Sequence, residues 1–567
     1  FDRDWNTRNM NYLGNQSIIL IENSLTKNNK GKLSLDYQSN IIGQNFRGNR
    51  LFSTCNWNEK GWKILWDASY LNSKTGVNND FVRHRAQISK KIKNIQLGYI
   101  DDHELNIFKS NTLESKSYQF FDYQFFIATA DSSKSRIKLS YRERYDWRPY
   151  SDNLKMAAKG TTTAAELLFR DKKNNSFTFL SGIRSLKILD TTLIDIQAEN
   201  TLIGRVEYNA KFFKNSIHLT SFYEIGSGLE QRKDFIYIKV NDGQGIYTWI
   251  DYDADGIEDL NEFEIAQFID QASYIRVFIP SANYTRTYSN ELNGSLFLQP
   301  EKIFKTKKGF IKKFALFSDQ FRVRIMKKVN TFQYNELFNP FYSEIRDSSL
   351  ISMNSSIKNT LFFNRNSPIF GLEYNFQSTN SKTLLASGFD SRSNLSNELS
   401  VRWNMTTFVA FNLKFEDGLK KSIIDYTINR NYQIHFQSFL TELIYQPNTK
   451  FKMGVIGQMS MKRNSIEFGN EQSKNYQVSV NAKFNKLQKG SFIADFKNVI
   501  INFNGTVNSA VGFEMMDGLK PGFNQVWSVS YQRLLAKNLQ LSIQYLGRKS
   551  EQTRIIHTGG MELRAIF

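Results

Sequence analysis

This 567-residue chain contains very little cysteine and proline. Cys55 is its only cysteine, which excludes an intramolecular disulfide and a cysteine metal cluster. It has only 7 prolines, and long strand ladders need few of them because proline lacks the N–H that a ladder uses. No stretch approaches the roughly 18 apolar residues that indicate a transmembrane helix. What remains possible is a chain dominated by strands.

Apolar and polar residues alternate along most of the chain, and this period of two predicts strands with one apolar and one polar face. Clear examples are the segments 206–212, 399–405, 476–484 and 539–545. The 47 phenylalanines and 26 tyrosines also favour strands over helices. The sequence therefore predicts an all-β fold.

Two architectures use such strands: a soluble sandwich, and a membrane barrel that turns its apolar faces to lipid. Polar faces rich in Arg, Lys, Glu and Asn suit a wet lumen, and no linkers of the kind that join tandem sandwiches stand out. Roughly 24 to 28 segments are long enough to cross a bilayer as tilted strands. We expect a transmembrane antiparallel β-barrel with one long calcium-loop insertion, integral to the cell outer membrane.

Acidic residues cluster at a regular spacing in DYDADGIEDLNE, residues 251–262. Their spacing is that of an EF-hand-type calcium loop, in which alternate side chains point at the ion and Gly256 provides the sharp turn. Glu258 departs from the pattern, which usually has an aliphatic residue there, so we expect a lone structural site rather than a paired sensor. The alternative is an acidic, solvated turn that caps a helix over LNEFEIAQFID. The expected calcium ligands are Asp251, Asp253, Asp255, Ile257, Asp259 and Glu262.

The net charge is 74 − 54, or +20. Its basic residues are spread along the strands, and no nucleic-acid-binding motif occurs, so we expect no nucleic-acid partner. A basic surface suits outer-membrane lipid and lipopolysaccharide. The basic turn KTKKGFIKKF (305–314) is either a phosphate-binding segment or a solvated hairpin rim. We find no catalytic motif and expect no enzyme activity.

Three segments carry a resemblance to a family. The end of the chain, from FEMMDGLKPG at Phe513 to HTGGMELRAIF at Phe567, resembles that of large outer-membrane barrel proteins of Bacteroidota. The central segment around DYDADGIEDLNE and the opening FDRDWN resemble the same group. The resemblance implies an accessory barrel beside an envelope machine, such as the barrel-assembly complex or type IX secretion, but not the translocon itself.

We expect a lead-in over 1–15 that continues from a missing N-terminal region, and a barrel over 16–567 with the inserted calcium-binding loop 240–282. Counting strands back from Phe567 puts LLAKN (534–538) in the periplasm and GLKPG (518–522) outside, but it also puts the longer insert 462–473 in the periplasm. The count therefore leaves the side of the calcium loop open, although loop length favours the cell surface.

Two functions fit these features. The first is a non-enzymatic accessory or scaffold subunit for outer-membrane protein assembly or protein export, in a complex with other outer-membrane or surface proteins. The alternative is an outer-membrane transport channel or plugged porin, because a barrel of this many strands has a wide lumen.

Overall fold

A computed structural model describes most of the chain. The described residues are 15–27, 30–44, 46–74, 77–129, 135–171, 175–194, 198–305, 308–342, 347–385, 388–425, 430–486, 489–536, 538–551 and 553–565. The lead-in predicted for 1–15 lies almost wholly outside them, as does the terminal Phe567. Within these ranges, the structure has no helix of the length and apolarity that crossing a bilayer requires.

The chain forms two compact units: residues 1–210 with 222–228, and residues 211–221 with 229–567. The strands of the first unit are β1 (Gln16–Lys27), β2 (Gly31–Ile42), β3 (Phe46–Glu59), β4 (Trp62–Lys74), β5 (Asn78–Ile92), β6 (Ile95–Lys109), β7 (Tyr118–Thr129), β8 (Ser135–Tyr150), β9 (Asn153–Arg170), β10 (Ser176–Ile188) and β11 (Glu199–Phe212).

Each strand of the first unit pairs antiparallel with the next one along the chain. One face exposes large apolar side chains, such as Trp66 at 41% and Phe125 at 53%. The opposite face carries ion pairs, including Arg144 Nη2 to Asp146 Oδ1 at 2.8 Å. The alternation in the sequence thus becomes an apolar face and a polar face.

The second unit contains the remaining strands and four short helices. They are β12 (Ile217–Lys239), β13 (Tyr247–Trp249), β14 (Phe263–Ile265), β15 (Tyr274–Leu298), α1 (Glu301–Phe304), α2 (Phe310–Phe314), β16 (Phe317–Val329), α3 (Tyr334–Phe338), β17 (Leu350–Phe363), β18 (Phe370–Leu385), β19 (Gly388–Asn404), β20 (Val409–Ile424), β21 (Tyr432–Tyr445), β22 (Phe451–Asn464), β23 (Gln472–Lys486), β24 (Gly490–Asn504), α4 (Ala510–Met515), β25 (Gly522–Ala536), β26 (Leu539–Ser550) and β27 (Ile556–Ala565).

In the second unit β12 pairs with β15, and β15 to β27 then pair in chain order, each antiparallel to its neighbour. We call the end where β12, β16, β18, β20, β22, β24 and β26 finish the loop end, and the opposite end the turn end. The loop end carries the longer connections 240–273, 330–349 and 505–521, whereas most turn-end connections are short.

The strand order corrects the count made from the sequence. The connection 465–471 follows β22, so it lies at the loop end together with 505–521 and 240–273. The sequence count, which put 462–473 on the side opposite GLKPG, is wrong. Two strands, β23 and β24, separate this connection from 505–521, so the chain returns to the same end between them.

The predicted fold class is confirmed. The described chain is all-β and antiparallel. It contains 27 strands: two short strands of the insertion, β13 and β14, and 25 long strands. These strands are 10 to 25 residues long, enough to cross a bilayer at a tilt. Long strands with an exposed apolar face and a charged opposite face are characteristic of a transmembrane β-barrel wall.

Candidate metal site and its insertion

An insertion of the second unit, residues 240–273, contains the acidic motif. It leaves β12 after Lys239 and ends where β15 begins at Tyr274, inside the predicted range of 240–282. Its β13 and β14 pair antiparallel, with Trp249 opposite Phe263. The helix considered for LNEFEIAQFID does not form. Two 3-10 turns and β14 occupy that segment instead. Phe263 of β14 is buried, and its ring stacks on that of Tyr237 with centroids 4.0 Å apart.

Three of the predicted ligands lie together. Asp251, Asp253 and Asp255 each place a carboxylate oxygen within 4.8 Å of the other two. Asp251 Oδ2 accepts a hydrogen bond from the Gly256 N–H at 3.1 Å, and Gly256 has a φ of +76°, as the predicted sharp turn requires. The loop therefore gathers three hard, anionic oxygen donors, the ligand type that calcium prefers.

The other oxygen of Asp251 has no hydrogen-bond partner. Oδ1 is buried, and no donor among the described residues reaches it. A buried carboxylate oxygen without a partner is unfavourable unless a hydrogen bond or a cation compensates it. This atom, beside two further carboxylates, fits a cation that Asp251, Asp253 and Asp255 would hold in common.

Electrostatics in the loop also favour a cation. Asp253 Oδ1 accepts the Asp255 N–H at 3.3 Å, which by itself lowers the pKa of Asp253. Desolvation and the charges of Asp255, Glu262 and Asp251 outweigh that bond and raise the pKa above its ordinary value. Repulsion between the carboxylates contributes to this rise in the pKa of Asp253 after desolvation, and a bound divalent ion would relieve that repulsion.

The other three predicted ligands are placed differently. Ile257 is exposed, and its carbonyl oxygen accepts the Asp259 N–H at 3.0 Å. The Asp259 side chain is exposed and is not part of the carboxylate cluster. Glu262 is only 1% exposed and accepts from Trp249 Nε1 at 2.7 Å and from the Tyr252 N–H at 2.9 Å. Both oxygens of the expected closing ligand thus already have protein donors.

Glu258, the departure from the calcium-loop pattern, has a structural role. Its Oε1 accepts a hydrogen bond from the Tyr274 hydroxyl at 2.6 Å, and Tyr274 is the first residue of β15. A polar residue at this position therefore ties the acidic loop to the strand that follows the insertion.

The insertion packs on the polar face of the second unit, where two arginines hold it. Arg430, just before β21, forms an ion pair with Glu264 of β14. Arg548 of β26 binds Asp270 at 2.6 Å and lies over the Phe268 ring at 4.6 Å. Burial raises the pKa of Glu264, while the Arg430 charge opposes this rise.

A second segment, 505–521, packs on the same face. Its helix α4 inserts Met515, which is fully buried, against Ile434 of β21. Phe268 of the insertion joins the cluster that Met516 and Leu519 form with the strands. Asn508 Nδ2 donates to the Asp251 carbonyl oxygen at 2.9 Å, so the two segments are also joined at the acidic loop.

These contacts require the sheet of the second unit to curve. The insertion leaves from β12 and β15, yet it contacts Arg548 on β26, eleven strand steps beyond β15. Flat neighbouring strands lie about 4.8 Å apart, so eleven steps would span roughly 50 Å. The polar face must therefore be concave between these strands, and the insertion lies within the concavity.

Sequence reasoning missed Arg430, Arg548 and Asn508. Arg548 and Asp270 are 278 positions apart, and no local motif marks either residue. In the sequence, the two arginines are recognisable only as isolated cations near strand ends. Many other lysines and arginines in the chain share this feature, so it does not identify a contact with the insertion.

Comparison with known proteins identifies no family. No protein-family model matches the chain, and no curated protein matches it. Among solved structures it is similar to the FrpB iron transporter of Neisseria meningitidis (9% identity, 86% of this chain and 76% of that chain, TM-score 0.32). It is also similar to the siderophore receptor PirA of Pseudomonas aeruginosa (8%, 95% and 87%, TM-score 0.32) and to the RagAB peptide transporter (8%, 89% and 72%, TM-score 0.29). Likeness at these TM-scores supports no functional inference.

Proposed function

We propose that this chain is a non-enzymatic outer-membrane transport protein whose polar face is occluded at the loop end by the insertion 240–273. The observation that carries the proposal is the packing of this insertion, together with segment 505–521, across the concave polar face. In a membrane barrel this face lines the path of the solute. A segment held there by ion pairs obstructs that path until it moves.

The loop end is proposed to face the cell surface. It carries the long connections 240–273, 330–349 and 505–521, and long loops of outer-membrane barrels are extracellular. Strand β27 runs from the loop end towards the turn end, so Ala565 would lie on the periplasmic side. Lipopolysaccharide would then surround the loop end.

Calcium is proposed as a structural ion of the insertion. Asp251, Asp253 and Asp255 would supply its carboxylate ligands, and the ion would neutralise their repulsion and hold the loop in its docked shape. The accessory role in protein assembly or export, the partner proteins and the origin in Bacteroidota stay predictions from the sequence. No contact among the described residues favours the accessory role over transport.

Single-channel conductance of the full chain in planar bilayers tests the transport proposal. The double variant Arg430→Gln, Arg548→Gln removes both ion pairs that hold the insertion. Since a hydrogen bond to a charged group contributes roughly 1.5–3 kcal/mol, we expect the open fraction to rise at least about tenfold.

The matched control is Arg324→Gln with Lys414→Gln. It removes two charges from polar-face positions of the second unit, where they pair with Glu291 and Glu398; among the described residues, neither forms an ion pair with the insertion. We expect wild-type conductance from it. An unchanged, closed channel in the double variant, with proteolysis confirming that the insertion has been released, would overturn the transport proposal.

A further inference from the structure

A groove runs along β9 on the polar face of the first unit. At three successive positions of this face, β9 carries only the small residues Ala158, Gly160 and Thr162. The strands on either side, β8 and β10, are about 10 Å apart, because neighbouring strands are spaced by about 4.8 Å. Since β9 fills little of the space between the longer side chains of β8 and β10, a cavity of about 650 Å³ remains there.

The β8 wall of the groove is cationic. Arg142, Arg144 and Arg148 of β8 line it. Asp122 accepts a hydrogen bond from Arg142 Nε at 2.7 Å, and Asp146 binds Arg144, so these two arginines already have carboxylate partners. Arg148 is exposed and forms no ion pair with any residue that the structure describes. One guanidinium of this wall is therefore available to a ligand.

The opposite wall is aliphatic and carries one further cation. Leu186 and Ile188 of β10 line it, and Ile203 of β11 extends it. Ile203 is 46% exposed although it lies on the polar face, where water contact with an aliphatic side chain is unfavourable. Arg184 lies on the same wall, is exposed and, within the described ranges, also forms no ion pair. The groove thus combines two available guanidinium groups with uncovered aliphatic surface.

The connection that follows β10 bounds the groove near the start of β9. The Leu189 N–H donates to the Ala157 carbonyl oxygen at 2.9 Å, and Asp190 binds Lys155 at 2.7 Å. These contacts hold the connection beside β9, where Ile194 joins the lining of the cavity. The groove is therefore a bounded site, with a floor, two walls and a closed side.

We propose that this groove binds an organic anion with an aliphatic body. The anionic groups of the solute would bind Arg148 and Arg184, because a guanidinium donates paired hydrogen bonds to an oxyanion. The aliphatic body would cover Leu186 and Ile203 and remove their surface from water. An inorganic anion would leave that surface exposed, and a neutral aliphatic solute would leave both guanidinium groups unpaired. The inference rests on the proposed transport function, since it takes the polar face as the wall of a solute path.

Isothermal titration calorimetry of the full chain in nanodiscs tests the groove with three peptide probes. The first is acetyl-Leu-Leu-Glu. The second is its neutral analogue, acetyl-Leu-Leu-Gln amide, and the third is acetyl-Gly-Gly-Glu, which keeps the carboxylates but has no aliphatic side chains. We expect acetyl-Leu-Leu-Glu to bind at least about tenfold more tightly than either analogue, because each analogue loses one of the two kinds of contact.

Two variants separate the contributions of the walls. Arg148→Gln with Arg184→Gln should weaken the binding of acetyl-Leu-Leu-Glu roughly tenfold or more and should remove its advantage over the neutral peptide. Leu186→Ser with Ile203→Ser should weaken acetyl-Leu-Leu-Glu roughly threefold or more but leave acetyl-Gly-Gly-Glu unchanged, because only the first peptide gains from aliphatic contact.

The matched control is Lys32→Gln with Lys63→Gln. It removes two charges from exposed polar-face positions of β2 and β4, at least four strand steps from β8. Four steps are roughly 19 Å, beyond the Debye length of about 8 Å at physiological salt, so this variant should bind acetyl-Leu-Leu-Glu like the wild type.

Equal binding of the three peptides would overturn the proposal. So would an unchanged affinity in the double arginine variant, with circular dichroism confirming its strand content. Because the calorimetry measures binding at equilibrium and needs no open channel, its outcome is distinct from that of the conductance experiment. A closed channel that still binds acetyl-Leu-Leu-Glu selectively would support the groove while refuting transport.

Discussion

Replacing Asp251 by Asn tests the calcium proposal at its most informative residue. The substitution keeps the shape of the side chain but removes the charge of the oxygen that lacks a partner. Glu262 has both oxygens engaged by Trp249 and Tyr252, so it adds no free bidentate ligand and the site should bind weakly. We therefore expect the affinity of extracellular calcium modules, a Kd of about 0.1–1 mM.

That affinity sets the size of the effect. At about 5 mM calcium, binding to the docked insertion alone stabilises it by about 1–2.3 kcal/mol, which lowers the population of the open insertion roughly 6- to 50-fold. Limited proteolysis within 240–273, with calcium and with a chelator, measures this ratio. Asp251→Asn should reduce it to less than about twofold, because a neutral amide leaves two carboxylates for the ion.

Asp242→Asn is the matched control, since Asp242 is an exposed acid of the same insertion outside the carboxylate cluster. It should keep the full protection by calcium. If chelation leaves the proteolysis of the wild-type insertion unchanged, or if Asp251→Asn is protected as well as Asp242→Asn, the calcium proposal is refuted.

Two further predictions concern packing. Glu262→Ala should weaken the insertion by about 2–4 kcal/mol, because the donors of Trp249 and Tyr252 lose their acceptor; hydrogen exchange over 247–265 measures this, and unchanged protection would contradict it. Met515→Ala should cost about 2–5 kcal/mol through the cavity that it leaves beside Ile434; faster proteolysis of 505–521 should reveal the loss, with intact strands as the reference.

The strands were predictable because their signal is local. In β26, Leu541, Ile543 and Tyr545 alternate with polar residues, and two neighbouring residues suffice to define opposite faces. The acidic cluster was predictable for the same reason, since its three carboxylates lie within five positions. The role of Glu262 was harder to predict from the sequence. Its position in the acidic motif predicts a calcium ligand, but the pairing of β13 with β14 buries it beside Trp249.

The docking of the insertion was not predictable, because it depends on the curvature of a sheet. Asp270 reaches Arg548 only because the sheet curves across the eleven strands from β15 to β26. This curvature accumulates from small twists between neighbouring strands, and no short segment of sequence encodes it. The end of the sheet that carries 462–473 was predicted wrongly for a different reason. A strand count that is off by one moves every preceding connection to the other end.

Asp251 links the acidic loop to segment 505–521. The side chain of Asp251 belongs to the carboxylate cluster, and its carbonyl oxygen accepts a hydrogen bond from Asn508. Both contacts therefore depend on the position of the Asp251 backbone. An ion that fixes the side chain also fixes the carbonyl oxygen, and the hydrogen bond from Asn508 then forms at a smaller loss of conformational entropy. Calcium would therefore stabilise the packing of both segments on the polar face, although it would touch only one of them. On this argument the ion acts on transport through the docked insertion, and a variant that releases the insertion should make conductance independent of calcium.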